Sequence, residues 1–323
     1  MNRCGLSMAV LLIAGAAVAA AQDVDTSYQN LQSAVAKFSD DVVSKTDAPA
    51  KNPAAAKEDV EAIKKLAAET SALARQEIAK PGDASDPDAA KKRLDDLHAI
   101  DTYSEYALYA TAAQSEPPVM VDLIATLEKQ NPKSKYLELG YGPYLAALAK
   151  TGASAKIPEI ADKALANFPQ NADLLIFLAN HAYTHGQNDR TINFSTRIIA
   201  LWNSHPKPPE GVSEADWDRK RDVSLGPSYY MAGLAYAGTS HPVDADKYLR
   251  AALPYAKGNS ATYANALFQL GIANYNLGKM TMNKAKVLEG AKFSKEAAAI
   301  QSNVQQQAWK NAQVMEAEAA RMR

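Results

Sequence analysis

Two histidines four residues apart, His181 and His185 in the run HAYTH, are the side chains whose type and spacing come nearest to chemistry. On a helix, positions i and i+4 share one face, so both imidazoles could ligate a single zinc ion. The run lacks the glutamate that serves as general base in the metalloprotease helix, and no third ligand is marked nearby. Packing between helices accounts for the same spacing, and the zinc content of the purified protein separates the two readings. His98, His205 and His241 are isolated, and the last two precede prolines in turns. No phosphate loop, nucleophile elbow or dinucleotide fingerprint occurs, and the glycosylation-like run NFS at Asn193 falls inside a predicted helix. The residues therefore mark no catalytic group, no metal site and no cofactor, and the expectation is a protein that is not an enzyme.

The elements that would position these histidines lie between Tyr141 and Trp202, where two segments of one design follow each other. Gly152 and Gly186 each close an apolar helical segment, and 186 − 152 gives a spacing of 34 residues. Apolar residues recurring at three and four make a one-sided helix, a glycine can take the left-handed conformation that ends it, and Pro169 keeps the following helix from running on. Two short helices cannot cover their own apolar faces, so such units must stack.

With the glycine at place 15 of a 34-residue unit, the first unit sets Tyr144, Leu145, Leu148, Ala161, Ala164 and Pro169 in pattern, and the second Leu175, Leu178, Ala179 and Ala182. This resembles the tetratricopeptide repeat. A third unit carries Tyr229, Ala232, Gly233, Tyr236, Ala245, Leu249 and Ala252 but has Ser240 in place of the closing glycine. A fourth matches at Leu267, Leu270, Gly271 and Gly278, with Asn283 where a small apolar residue is usual. A degenerate earlier unit sets Ala107, Leu108, Thr111, Met120, Ile124 and Leu127 ahead of Pro132.

Four regions follow. Residues 1–21 read as a secretory signal of bacterial style, with Arg3, an apolar core from Met8 to Val18 and the small residues Ala19, Ala20 and Ala21, which makes Gln22 the mature start. Residues 22–98 form an N-terminal helical region, with amphipathic helices over Asp23–Ser44 and Lys57–Ala79 separated by the proline-broken run Thr46–Ala56. Asp86 followed by Pro87 starts the next helix. The repeat array covers 99–300 with an insertion at 202–228, where Ser213 and Asp216 resemble a helix cap, Pro227 a kink, and Trp217 an anchor that docks the insertion. Residues 301–323 form a capping helix.

Cys4 is the only cysteine and sits within the signal, so the mature chain has no thiol for disulfides, metal binding or nucleophilic attack. Removing Arg3 with the signal leaves 35 − 1 = 34 basic against 36 acidic groups, a balance of −2 that gives no electrostatic case for nucleic acid or an anionic membrane. No mature stretch approaches the roughly 20 apolar residues of a membrane span.

The fold expected is thus all-α, an α-solenoid of tetratricopeptide-like hairpins. The resemblance implies an exported, periplasmic or secreted scaffold that binds a protein or peptide partner in a groove lined by the first helices. Carried over, the groove residues are Asp173, Ile176, Asn180 and Tyr183 in the second unit, Tyr230 and Leu234 in the third, and Asn265, Phe268, Ile272 and Tyr275 in the fourth. That surface is aromatic and amide and holds no lysine or arginine, which suits an apolar helix or an extended segment. The chain's own N-terminal helices or final helix are the competing occupants. The other readings are a metal-dependent hydrolase or metal-binding protein built on His181 and His185, and a structural spacer.

Overall fold

A computed structural model describes residues 23–43, 53–80, 85–205, 207 and 213–322. Residues 1–21, expected to be a signal, the linker residues 46–52 and most of the proline-rich start of the expected insertion lie outside them. Every regular element described is helical, as the three-and-four spacing requires, with thirteen α-helices, one short 3-10 turn at Ser154–Lys156 and no strand among the described residues. The chain divides into two compact units, Met1–Ser115 and Glu116–Arg323.

The first unit holds α1 (Val24–Val43), α2 (Pro53–Ile78) and α3 (Pro87–Ala113), each in contact with the other two. Leu31, Val35 and Phe38 of α1 are buried, as are Val60, Ile63 and Ala67 of α2, in line with the amphipathic pattern. Val24, Ala74, Leu97 and Ile100 form a cluster joined by Tyr28, Leu73 and Ile78. Asp86 caps α3 by accepting the Ala89 N–H at 3.0 Å, and Pro87 occupies the first turn, where its missing donor costs nothing. The helix then runs on through His98 and Ala99, because no glycine or proline interrupts it before Gln114. The array boundary expected at 98/99 therefore falls inside a continuous helix that packs on α1 and α2.

The second unit holds α4 (Pro117–Gln130), α5 (Lys135–Lys150), α6 (Ile157–Asn167), α7 (Ala172–Thr184), α8 (Asn188–Ser204), α9 (Glu214–Gly238), α10 (Pro242–Ala256), α11 (Ser260–Met280), α12 (Lys284–Ala298) and α13 (Gln305–Arg321). Each packs on the next, and alternate helices also touch: α5 on α7, α7 on α9, α9 on α11 and α11 on α13. The repeat-pattern residues are the core, with Leu148, Ala161, Ala164, Leu175, Leu178, Ala179, Ala182, Ala232, Ala245, Leu249, Ala252, Leu267 and Leu270 all buried.

Four helices of this unit stop in the same way. Gly152 and Gly186 take positive φ of 79° and 67°, and the next residues, Ala153 and Gln187, donate back to the carbonyls of Leu148 and Ala182 at 2.8 and 2.9 Å. Ser240 (φ 61°) and Met282 (φ 53°) make the same turn, with His241 donating to Tyr236 at 2.9 Å and Asn283 to Gly278 at 2.8 Å. These bonds satisfy carbonyls left over at a helix end. In the fourth hairpin the closing residue expected was Gly278. The helix instead continues to Met280, because Gly278 is needed elsewhere: a Cβ there would meet the Val287 nitrogen of α12 at 2.7 Å. The insertion's helix and the next repeat's first helix are one, α9, which passes through Pro227. Its start is capped by Ser213, whose Oγ accepts the Asp216 N–H at 3.1 Å and donates to its carboxylate at 2.7 Å.

Candidate functional site

The ten residues expected to line a groove sit on three helices that touch in sequence, α7, α9 and α11. None is buried: Asn180 and Tyr183 are exposed and the other eight half-buried. That is the pattern of a face left uncovered, because the inward side of each helix is already taken by leucines and alanines. Asn265 of α11 donates an amide N–H to the Tyr230 hydroxyl of α9 at 2.8 Å. Burial, with Tyr183 of α7 beside it, pushes the Tyr230 hydroxyl up to about 12, so it stays a neutral phenol able to donate. The Asn265–Tyr230 bond thus joins α11 to α9, and Tyr183 of α7 lines the same cleft as Tyr230.

Asn180, Tyr183 and Tyr230 also line a cleft of about 750 Å³. Its other walls come from the α9 extension (Asp222, Val223, Gly226, Pro227), from α10 (Ala252, Pro254, Tyr255, Ala256) and from the start of α11 (Asn259, Thr262). Repeat arithmetic misses these residues, since it assigns α10 to the outer layer and treats the insertion as an addition. The signal that could have found them is a pair of prolines inside helices. Pro227 has no N–H to give the carbonyl of Val223, and Pro254 none to give that of Arg250. Gly226 permits the close approach of α9 and α10, because a Cβ there would lie 2.7 Å from the Tyr255 Cβ.

The remaining groove residues go elsewhere. Asp173 lies against α5, where a Cβ on Gly142 would come within 2.7 Å of its carboxylate. Ile272 lines a separate recess of about 270 Å³ with Ser240, Pro242, Lys279 and Met280. Ile176 and Leu234 line neither hollow. Phe268 packs on the cluster that joins Leu267 to Ala297 of α12 and Ala308 of α13. Tyr275 packs on Val287, Ala291, Met315 and Ala319 and hydrogen-bonds the Glu318 side chain of α13, whose carboxylate also pairs with Lys279 at 2.5 Å. The chain's last helix thus claims two of the four α11 residues, and the uncovered part of the face runs over α7, α9 and the first half of α11.

His181 and His185 lie at the end of α7, with ring centroids 4.1 Å apart and Phe177 stacked on His181 at 6.1 Å. His185 caps the helix, and its Nδ1 donates to the His181 carbonyl at 2.8 Å, which leaves only Nε2 of that ring for any other partner. Burial first, then His185 and Arg190, lower the pKa of His181 and favour its neutral form. Among the described residues no group of three or more His, Cys, Asp or Glu side chains is gathered as a metal would need. Trp217 packs edge-on against Trp202 of α8 at 4.8 Å, which docks the insertion on the preceding hairpin. Both indole N–H groups are buried without a hydrogen-bond partner.

No model of a known protein family matches this chain, and no curated protein sequence matches it. Among the described residues no helix is long and apolar enough to cross a membrane.

Proposed function

We propose that this chain is a scaffold of tetratricopeptide-like hairpins, exported by the signal at residues 1–21, that holds a peptide or helix of a partner protein against the face of α7, α9 and α11. The observation that carries the reading is the Asn265–Tyr230 bond between α11 and α9 beside Tyr183 of α7, which lines one cleft with Tyr230, on a face where all ten expected groove residues keep solvent access. Aromatic rings supply apolar area with little rotamer freedom to lose, and amides satisfy the backbone of an extended segment. No side chain among the ten is basic, so a terminal carboxylate is not the ligand this face suits. The contact of alternate helices supports a stacked array, in which each hairpin shields the next.

A photoreactive residue placed at Tyr183 or Leu234 of the full chain, in the native host, is expected to capture the partner. The same residue at Lys163 or Lys295, exposed on α6 and α12, is not. Equal capture at all four positions defeats the proposal. Export is checked by the N-terminus of the accumulated protein, expected at Gln22 and refuted by an intact start at Met1.

A further inference from the structure

The cleft beside Tyr183 and Tyr230 joins aliphatic walls from α9 and α10 to three tyrosine rings and a few hydrogen-bonding groups. Among the described residues its only ionised lining group is Asp222, and no lysine or arginine lines it. The amide and hydroxyl groups of Asn180, Asn259 and Thr262 can accept, as can the carbonyl of Val223, which Pro227 leaves without its helical donor. Tyr183 and Tyr255 are 38% and 39% exposed, so two rings offer surface to an incoming group. Tyr255 is stacked on Tyr229 at 6.1 Å, which holds its ring in place. Asp222 and Tyr255 both line the cleft, and burial first, then the charge of Asp222, hold the Tyr255 hydroxyl above its ordinary pKa against a lowering by Arg221. Arg221 is shared: it pairs with Asp218 at 2.8 Å and with Oδ1 of Asp222 through Nε at 3.4 Å, so the Asp222 carboxylate is only partly engaged.

Resting on the scaffold reading above, we infer that this cleft receives an arginine side chain of the bound segment, its guanidinium lying between the tyrosine rings and meeting Asp222. A guanidinium has five donors and no acceptor, stacks on aromatic faces and forks onto a carboxylate, and each of these properties answers something the cleft presents. An anionic or carbonyl-rich ligand would find no donor beyond neutral amides and hydroxyls. A purely apolar one would cover Asp222, a half-exposed carboxylate whose pair with Arg221 is long, and strip its water, which is costly.

The test titrates acetyl-arginine-amide and its neutral isostere acetyl-citrulline-amide into the full chain, followed by amide NMR. Arginine is expected to shift resonances around Tyr183, Asp222, Tyr230 and Tyr255, with citrulline at least about fivefold weaker. Asp222→Asn, at a half-exposed position that the fold does not need, removes the preference, and Tyr255→Phe retains it. Equal binding of the two probes, or shifts that persist unchanged in Asp222→Asn, overturns the inference. The two readings fail separately. A partner that crosslinks at Tyr183 and is held equally by Asp222→Asn removes the arginine pocket and leaves the scaffold. Arginine-selective shifts in a chain whose photoreactive positions capture without preference keep the pocket and remove the scaffold.

Discussion

The helices α4–α8 and α9–α13 obey one hairpin plan but meet its demands with different residues. In α4–α8 the stops are glycines: Gly152 and Gly186 sit at positive φ, and a Cβ on either would touch nothing within 4 Å. Their role is conformational alone. In α9–α13 the same stops fall to Ser240 and Met282, while the glycines have moved into helix contacts. A Cβ on Gly271 would lie 2.3 Å from the Ser294 Oγ, one on Gly290 2.7 Å from the Gly271 carbonyl, and one on Gly233 2.6 Å from Leu249. Where helices pack this closely, their contacts hold the connecting turn in place, and the turn tolerates a side chain that would not choose it.

Two seams, one in each region, also handle buried charge differently. Between α4 and α5, Glu128 is half-buried and meets phenols in place of a cation, with Tyr141 donating to it at 3.0 Å. Across α10, α11 and α12 a charged network does the joining. Arg250 reaches Asp246 at 2.8 Å and Glu289 at 2.6 Å, Lys286 reaches Glu289 at 2.8 Å, and the fully buried Asn274 bonds Asp246 at 2.5 Å.

The largest expected effect breaks the contact role. Gly290→Ala pushes a methyl onto backbone atoms of α11 that cannot turn aside, and should lower stability by about 3 kcal/mol in chemical denaturation, the upper part of the overpacking range. Gly152→Ala tests the conformational role in isolation, with open space around the new Cβ, and should cost about 1 kcal/mol. A loss at Gly152 as large as that at Gly290 would erase the distinction between the two regions. Ser240→Gly and Met282→Gly should each raise stability by about 0.5–1 kcal/mol, since they relieve left-handed backbone at exposed turns. A loss at Met282 would mean that its side chain, not its backbone, is what the turn needs.

The last prediction concerns pH and sharpens the contrast in charge. Burial raises the pKa of Glu128, against the lowering supplied by Tyr141 and Tyr144. A raised folded-state pKa makes the protonated form the favoured one in the fold. The group's contribution is therefore fully present below its unfolded pKa and lost as pH rises through the folded value. Relative to Glu128→Gln, whose amide does not titrate, the wild type should gain stability as pH falls from neutral into the carboxylate range. Denaturation midpoints of the two proteins across that range check it, and a gap that widens against the wild type on acidification counts against burial as the governing cause.

The helices, their faces and half of their stops were legible in the chain. Leu148, Leu175, Leu178, Leu249 and Leu267 are buried because spacing of three and four is a property of a few neighbouring residues, and Gly152 and Gly186 turn left-handed because only glycine does so without strain. Of the face residues that repeat spacing names, Asn180, Tyr183 and Tyr230 line the cleft, while Phe268 and Tyr275 pack toward α12 and α13, which no spacing within one helix foretells. Gly278 shows the limit most clearly, since the same residue type can end a helix or admit a neighbour, and only the approach of α12 decides between them. Tertiary structure likewise decided the cleft, because Asp222, Pro227, Pro254 and Tyr255 meet across α9 and α10. Helix formation depends on residues within a turn or two of each other, and so it is written locally. Which surfaces remain open depends on how all the helices fill space together, and no short stretch of chain contains that.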